Sequence, residues 1–160
     1  MKNVFFLLAM ISLLCSCNEN DEVIEIKTIG EMEFAEGEVQ HIVRANEINW
    51  QPCPPNLPEG CEMAMLEGSP KSEDLFTVRF KAIQDMEMPA HTHPKDERAT
   101  IIEGNAYVAF GEDGTKETAA KFGPGDYYVN ARGAVHKVWI DSGTVIQLTG
   151  IGPWRADFVK

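Results

Sequence analysis

Positive charge is what this sequence has least of. Its 160 residues carry 14 Lys and Arg against 25 Asp and Glu, a formal charge of −11 at pH 7. Nucleic acid and anionic lipid surfaces both demand clustered cations, so neither is an expected partner. Long apolar runs are missing too. The longest covers residues 4–14, broken only by Ser12, well short of the ~18 residues a membrane-spanning helix needs. Helical periodicity is almost absent, and no internal repeat or low-complexity segment occurs. Histidine is scarce at four residues, and three of the four fall in one constellation.

What is present begins with an address. Lys2, the apolar run and then Leu14-Cys15-Ser16-Cys17 read as an export signal with a small-residue cleavage site. The segment resembles a bacterial lipobox. On that resemblance residues 1–16 are a lipoprotein signal peptide, and Cys17 is the lipidated first residue of the mature chain. Cys15 is a poorer candidate because Leu13 and Leu14 precede it and neither is small. Residues 17–22 are a polar tether, and residues 23–160 remain for one domain. The expected location is the cell envelope outside the cytoplasm, periplasm or outer membrane, with the membrane met only through a lipid anchor at Cys17.

The body reads as short strands. Residues 75–83 alternate Phe76, Val78 and Phe80 with Thr77, Arg79 and Lys81. Further strands are predicted over 100–103, 106–110, 127–130, 136–140 and 144–148. Gly104-Asn105 and Gly123-Pro124-Gly125-Asp126 mark turns, and residues 111–114 a hairpin turn. Residues 49–72 hold most of the prolines and are expected to cross the barrel as an ordered excursion, with a short strand over 63–66. Short strands at this spacing predict an antiparallel sandwich or barrel. Cys53 and Cys61 flank a loop of turn formers. In an oxidising compartment a disulfide between them is favoured over free thiols or metal ligation.

The chemistry lies in His91-Thr92-His93-Pro94-Lys95-Asp96-Glu97 and in His136. Two histidines one residue apart in a strand share a face. A carboxylate close behind, Asp96 or Glu97, and a third imidazole from another strand complete a nitrogen and oxygen set for a transition metal. The predicted strand from His136 puts that residue, Val138 and Ile140 on one face. His41 has no ligand-type residue at a useful spacing.

These residues resemble the cupin superfamily. His91, His93, Glu97 and Gly104 stand at the spacing of its first motif, and Gly125, Gly133 and His136 at that of its second. The chain departs at Asp85, where the first motif opens with glycine, at Ala131, where proline is usual, and at Ile140, where asparagine is usual. Trp50, the proline-rich run to Gly60, Leu66-Glu67-Gly68 and the closing Gly150 to Trp154 segment look like a bacterial subgroup of unassigned activity. The resemblance implies an all-β fold, a single cupin (jelly-roll) antiparallel β-barrel. It favours Glu97 over Asp96, giving His91, His93, Glu97 and His136 as ligands of one divalent transition metal, Fe, Mn, Zn, Ni or Cu. Phe76, Phe80, Tyr107, Tyr128, Trp139 and Trp154 are candidates to shape the cavity, although core packing is the plainer role for each.

Two functions follow. Open coordination positions on such an ion suit a metal-dependent enzyme acting on a small molecule, dioxygenase-like or isomerase-like. The alternative is a non-catalytic cupin that holds or senses a metal or metabolite, as some anti-sigma factors do with zinc. No dedicated general base is evident beyond the ligands. The expected partners are a small-molecule substrate or ligand and, secondarily, a second copy of the chain in a homodimer.

Overall fold

The computed structural model describes residues 28–160. The signal segment, Cys17 and the polar tether lie outside them. Eleven strands follow in order: β1 (Gln51–Pro52), β2 (Cys61–Glu67), β3 (Leu75–Ala82), β4 (Met86–Thr92), β5 (Glu97–Glu103), β6 (Ala106–Phe110), β7 (Ala120–Phe122), β8 (Tyr127–Asn130), β9 (His136–Ile140), β10 (Val145–Ile151) and β11 (Asp157–Phe158). Among the described residues the helical content is one 3₁₀ turn, Ala45–Glu47. All pairings are antiparallel. They build a six-stranded sheet, β1-β2-β3-β10-β5-β8, and a five-stranded sheet, β11-β4-β9-β6-β7. This is the jelly-roll architecture that the resemblance implies.

The two sheets face each other across a core built from Phe76, Val78, Ala99, Ile101, Val108, Val138, Ile146 and Leu148. Burying each larger member contributes on the order of 1.5–3 kcal/mol. In β9 the alternation is clean, with His136, Val138 and Ile140 buried and Lys137 and Trp139 half-exposed. In β3 it is not, because Thr77 is buried as well. Its hydroxyl meets the Thr149 hydroxyl of β10 at 3.2 Å on the other face of the sheet.

One irregularity matters for function. Between β4 and β9 the pairs run Met88↔Val138 and then His91↔His136, so β4 carries an extra residue at Pro89-Ala90. Proline cannot donate to the ladder, and a β-bulge is where a strand accepts it. The bulge switches the inward parity from Met86 and Met88 to His91 and His93. A strictly alternating strand would turn both imidazoles outward.

Several predicted elements are longer or differently joined than expected. β5 begins at Glu97 rather than residue 100, because Glu97 to Thr100 pair with β8. The hairpin β6–β7 closes through residues 111–119, not a tight turn over 111–114. The strand expected over 63–66 is the longer β2, which pairs with β3 from Cys61↔Ala82 onward. β1, β7 and β11 have no counterpart among the predicted strands, and β4 is expected only as a strand carrying His91 and His93, without bounds. Gly104 does mark a turn: it takes φ 72°, and a Cβ there would strike the Thr144 side chain. The turn at Gly123 is closed by Asp126, whose carboxylate accepts from Gly123 N at 2.8 Å.

Cys53 and Cys61 are bonded, with Cα atoms 5.6 Å apart. The bridge holds the loop of residues 54–60 against the rim of the barrel. Cys53→Ser should lower the unfolding free energy by about 2–3 kcal/mol, the chain-entropy value for so short a loop. Urea unfolding of the oxidised wild type and the variant measures this. Coincident curves would mean that other contacts fix the loop.

Candidate metal centre

The bulge and one cross-strand register assemble three imidazoles. His91 and His136 are direct partners across β4 and β9. His93 follows just beyond the end of β4 on the same face. Ring centroids lie 4.3 Å apart for His91 and His136, 4.9 Å for His91 and His93, and 5.1 Å for His93 and His136. All three are buried, His136 completely. One ring nitrogen from each lies within 4.8 Å of the others. Ligands bound at ~2.1 Å to one ion are at most ~4.2 Å apart, so a trio this close is compatible with one shared ion.

The backbone sets the tautomers. The Nδ1 atoms of His91, His93 and His136 stand 2.6, 2.8 and 2.9 Å from the carbonyl oxygens of Pro89, Arg155 and Ala134. A carbonyl only accepts, so each Nδ1 carries the proton. In the neutral ring the Nε2 lone pair is then free. Nε2 of His93 and of His136 is buried with no hydrogen-bond partner. Orphaned buried nitrogens are costly unless something electrophilic meets them. Three convergent imidazoles of this tautomer therefore fit a divalent transition metal.

Glu97 lies beside the trio. Its Oε1 is 3.3 Å from His93 Nε2 and its Oε2 is 3.9 Å from His136 Nε2. Asn130, its register partner on β8, donates from Nδ2 to Oε2 at 3.1 Å. Burial alone would raise the Glu97 pKa, but His93, His136 and Asn130 outweigh it and the pKa is lowered. Burial likewise works against a charged His93, yet Glu97 prevails and the His93 pKa is raised. His91 falls from 6.5 to about 4, chiefly because burial disfavours the imidazolium. His136 is lowered for the same reason. Without a metal, Glu97 is the group that favours a proton on His93.

The other candidates divide sharply. Asp96 faces outward and accepts from the Arg132 backbone N at 3.0 Å. His41 is exposed and reaches the Leu66 carbonyl at 2.7 Å. His91, His93 and Glu97 open onto a cavity of ≈50 Å³ lined by Phe80, Tyr128 and Trp154 together with Leu57, Met86, Met88, Val138, Ile140, Ile146 and Leu148. Phe76 is instead a core residue beside Trp154. The Tyr107 hydroxyl bonds Asp141 at 3.2 Å, and Trp139 lies on the opposite parity to the buried face of β9. Sequence reasoning missed Leu57, Met86, Met88 and Asn130. Only Asn130 left a usable sign, since it shares strand parity with Tyr128.

Comparison with known proteins agrees with this architecture. The family model described as the ChrR cupin-like domain matches residues 38–155. An acetylacetone dioxygenase from Acinetobacter johnsonii superposes with a TM-score of 0.58 at 20% identity, over 84% of this chain and 85% of that one. The polyketide cyclase RemF from Streptomyces resistomycificus gives 0.59 at 15% identity, over 76% and 88%. KdgF from Halomonas sp. gives 0.54 at 19% identity, over 71% and 94%. At such identities these likenesses speak for the fold alone. No curated protein matches the chain.

His91 and His93 act on stability in opposite directions. His91, with its folded pKa depressed to about 4, contributes stability that is complete above ~6.5, its unfolded value, and is lost as pH falls toward 4. His93, with its pKa raised, contributes stability that is complete below ~6.5 and is lost as pH rises through its folded pKa. In metal-free protein, ring NMR should show His91 neutral down to about pH 4 and His93 titrating above its ordinary value. Glu97→Gln should bring the His93 pKa down. An unmoved His93 in that variant would remove the carboxylate from this account.

Proposed function

The chain belongs to the family of ChrR cupin-like domains, and we propose that it is an exported, lipid-anchored metal enzyme acting on a small molecule. The observation that carries this reading is the trio of Nδ1-tied imidazoles, two of which, His91 and His93, line a cavity together with Glu97. His91, His93 and His136 would hold the ion, with Glu97 as the fourth ligand, and Asn130 would orient the carboxylate. A divalent ion held there supplies a Lewis-acid centre with open positions for an oxygen ligand. The surrounding aliphatic and aromatic side chains exclude bulk water and select an apolar substrate body.

Within that class the lining favours dioxygenase-like over isomerase-like chemistry. Isomerisation moves protons between carbons and calls for a base poised near neutral pH. Tyr128 is the one titratable group on the cavity wall apart from the histidines and Glu97. Burial, reinforced by the Glu97 charge, raises its pKa, so it keeps its proton. The alternative reading, a module that holds metal without turnover, draws on the size of the cavity. At ≈50 Å³ it has room for roughly three or four waters.

Export is supported by the lipobox-like Leu14-Cys15-Ser16-Cys17 and by the Cys53–Cys61 bridge, which suits an oxidising compartment.

Elemental analysis of protein purified from its native host should return close to one iron, manganese or other first-row metal per chain. The His91→Ala/His93→Ala double variant should return none. Asn130→Ala should keep the site but weaken metal affinity about 10- to 100-fold, the usual cost of losing a group that orients a ligand. Oxygen uptake with phenolic or β-diketone substrates then separates the two readings. Tightly held zinc with no uptake would leave the binding module standing.

The lipid anchor has its own test. Cys17→Ala should release the protein from the membrane fraction and abolish fatty-acid labelling. A variant that stays membrane-bound and labelled would assign the lipid to Cys15.

A further inference from the structure

The cavity at the imidazoles is too small for most organic molecules to enter whole. Its ≈50 Å³ fits the few reacting atoms of a substrate and little else. A second space of ≈500 Å³ lies beyond it, between the disulfide-closed loop and residues 153–156. Leu57 and Trp154 are walls of both spaces. They form a neck between the barrel interior and the outer groove.

Three observations give the groove a chemistry. Its lining includes Lys71 and Arg155 and no carboxylate, in a chain whose acidic residues outnumber its basic ones 25 to 14. Lys71 is exposed, and among the described residues its ammonium has no ion-pair partner. Arg155 uses its Nε on Asp157 at 2.7 Å, which leaves the terminal nitrogens of the guanidinium for another acceptor. At the neck itself the Trp154 indole N–H is buried without an acceptor. A buried donor with no partner is a standing cost that a ligand oxygen would remove.

The neck also touches the imidazoles. Trp154 stacks on His93 with centroids 4.9 Å apart and planes 17° from parallel. The Arg155 carbonyl accepts the His93 Nδ1 proton. The segment that lines the groove is therefore the segment that orients one imidazole.

A rival mouth lies on the far side, between β7 and β8, where an apolar groove shares only Tyr128 with the cavity. Tyr128 is locked into the β5–β8 ladder opposite Ala99 and packs on Phe122 at 4.5 Å. Opening that side means unzipping a strand. Leu57 sits in a turn outside any strand, its N–H bonded to Pro54 O at 3.0 Å. A side-chain or loop-tip movement there would open the neck without breaking a strand pairing, with the loop ends held by the disulfide.

We propose that the groove beyond Leu57 and Trp154 is the outer half of the substrate site and binds a carboxylate at the far end of an elongated, apolar-bodied substrate. This rests on the metal-enzyme reading above. Lys71 and Arg155 take the carboxylate, Trp154 donates to an oxygen in the neck, and the other end of the molecule reaches the imidazoles.

Zinc-reconstituted full-length protein tests this by calorimetry without turnover. The probes are acetylacetone, 4,6-dioxoheptanoate and the methyl ester of the latter. The carboxylate probe should bind at least about tenfold more tightly than its ester, with an advantage that shrinks as salt is raised. Lys71→Glu and Arg155→Gln should erase that advantage while leaving zinc content and ester affinity at wild-type values. Equal affinity of acid and ester in the wild type, with zinc bound and diketones binding, would overturn the groove and leave the metal site intact. Loss of zinc binding in the wild type itself would instead overturn the metal-enzyme reading, and the groove with it. An advantage that survives both variants would place the carboxylate elsewhere and overturn the proposal.

Discussion

Glu97 is ionised inside the barrel with a single hydrogen bond, from Asn130, and an imidazole 3.3 Å away. A buried carboxylate without a cation costs several kcal/mol, and one charge-assisted hydrogen bond recovers roughly 1.5–3 kcal/mol. The remainder has to come from positive charge at the His93 side. In the metal-free protein Glu97 favours a proton there, so the His93 pKa is raised, while burial lowers those of His91 and His136. A proton serves only one imidazole, however. The second orphan, His136 Nε2, is met only by a charge that sits between several ligands.

The strand geometry follows from bringing those groups to one point. The Pro89-Ala90 bulge turns His91 and His93 inward, and the carbonyl of Pro89 is the acceptor for His91 Nδ1. One local distortion thus aims an imidazole and fixes its tautomer. Ala134 does the same for His136, just before β9 begins. His93 depends instead on a distant part of the chain, the Arg155 carbonyl. The segment that follows β10 is for this reason part of the site rather than a loose tail.

Much of this was legible in the sequence, and the reasons differ by element. β6, β8 and β9 carry short period-2 patterns bounded by turn residues, and their limits agree with the strands observed. The His91, His93 and His136 cluster was legible because ligand spacing survives without knowledge of the fold. The extent of β4 was not legible beyond the His91 and His93 pair, since Pro89 and the bulge interrupt its alternation. The Glu97 environment was also hidden. Lys95, Asp96 and Arg98 around it suggest an exposed turn, and only pairing with β8 buries it. Leu57 had no local signal at all: its burial is a consequence of the disulfide and of contacts across the barrel mouth.

The fold leaves the reaction open, because dioxygenase, cyclase and KdgF neighbours share it. Chemistry then has to be sought in what touches the substrate besides the ligands. Here those groups are nearly all aliphatic or aromatic, so the barrel offers little proton transfer of its own. It offers instead an apolar-walled space, a fixed set of imidazole lone pairs and one carboxylate. Such a lining gives selectivity through shape and exclusion of water rather than through acid–base partners. On the proposed reading polar recognition is displaced to the rim, where exposed cations meet solvent without the desolvation cost that the same charges would incur beside His91. An interior kept apolar and a mouth kept cationic are two outcomes of one physical rule. Charge is tolerated in this protein only where water or a counter-ion can reach it.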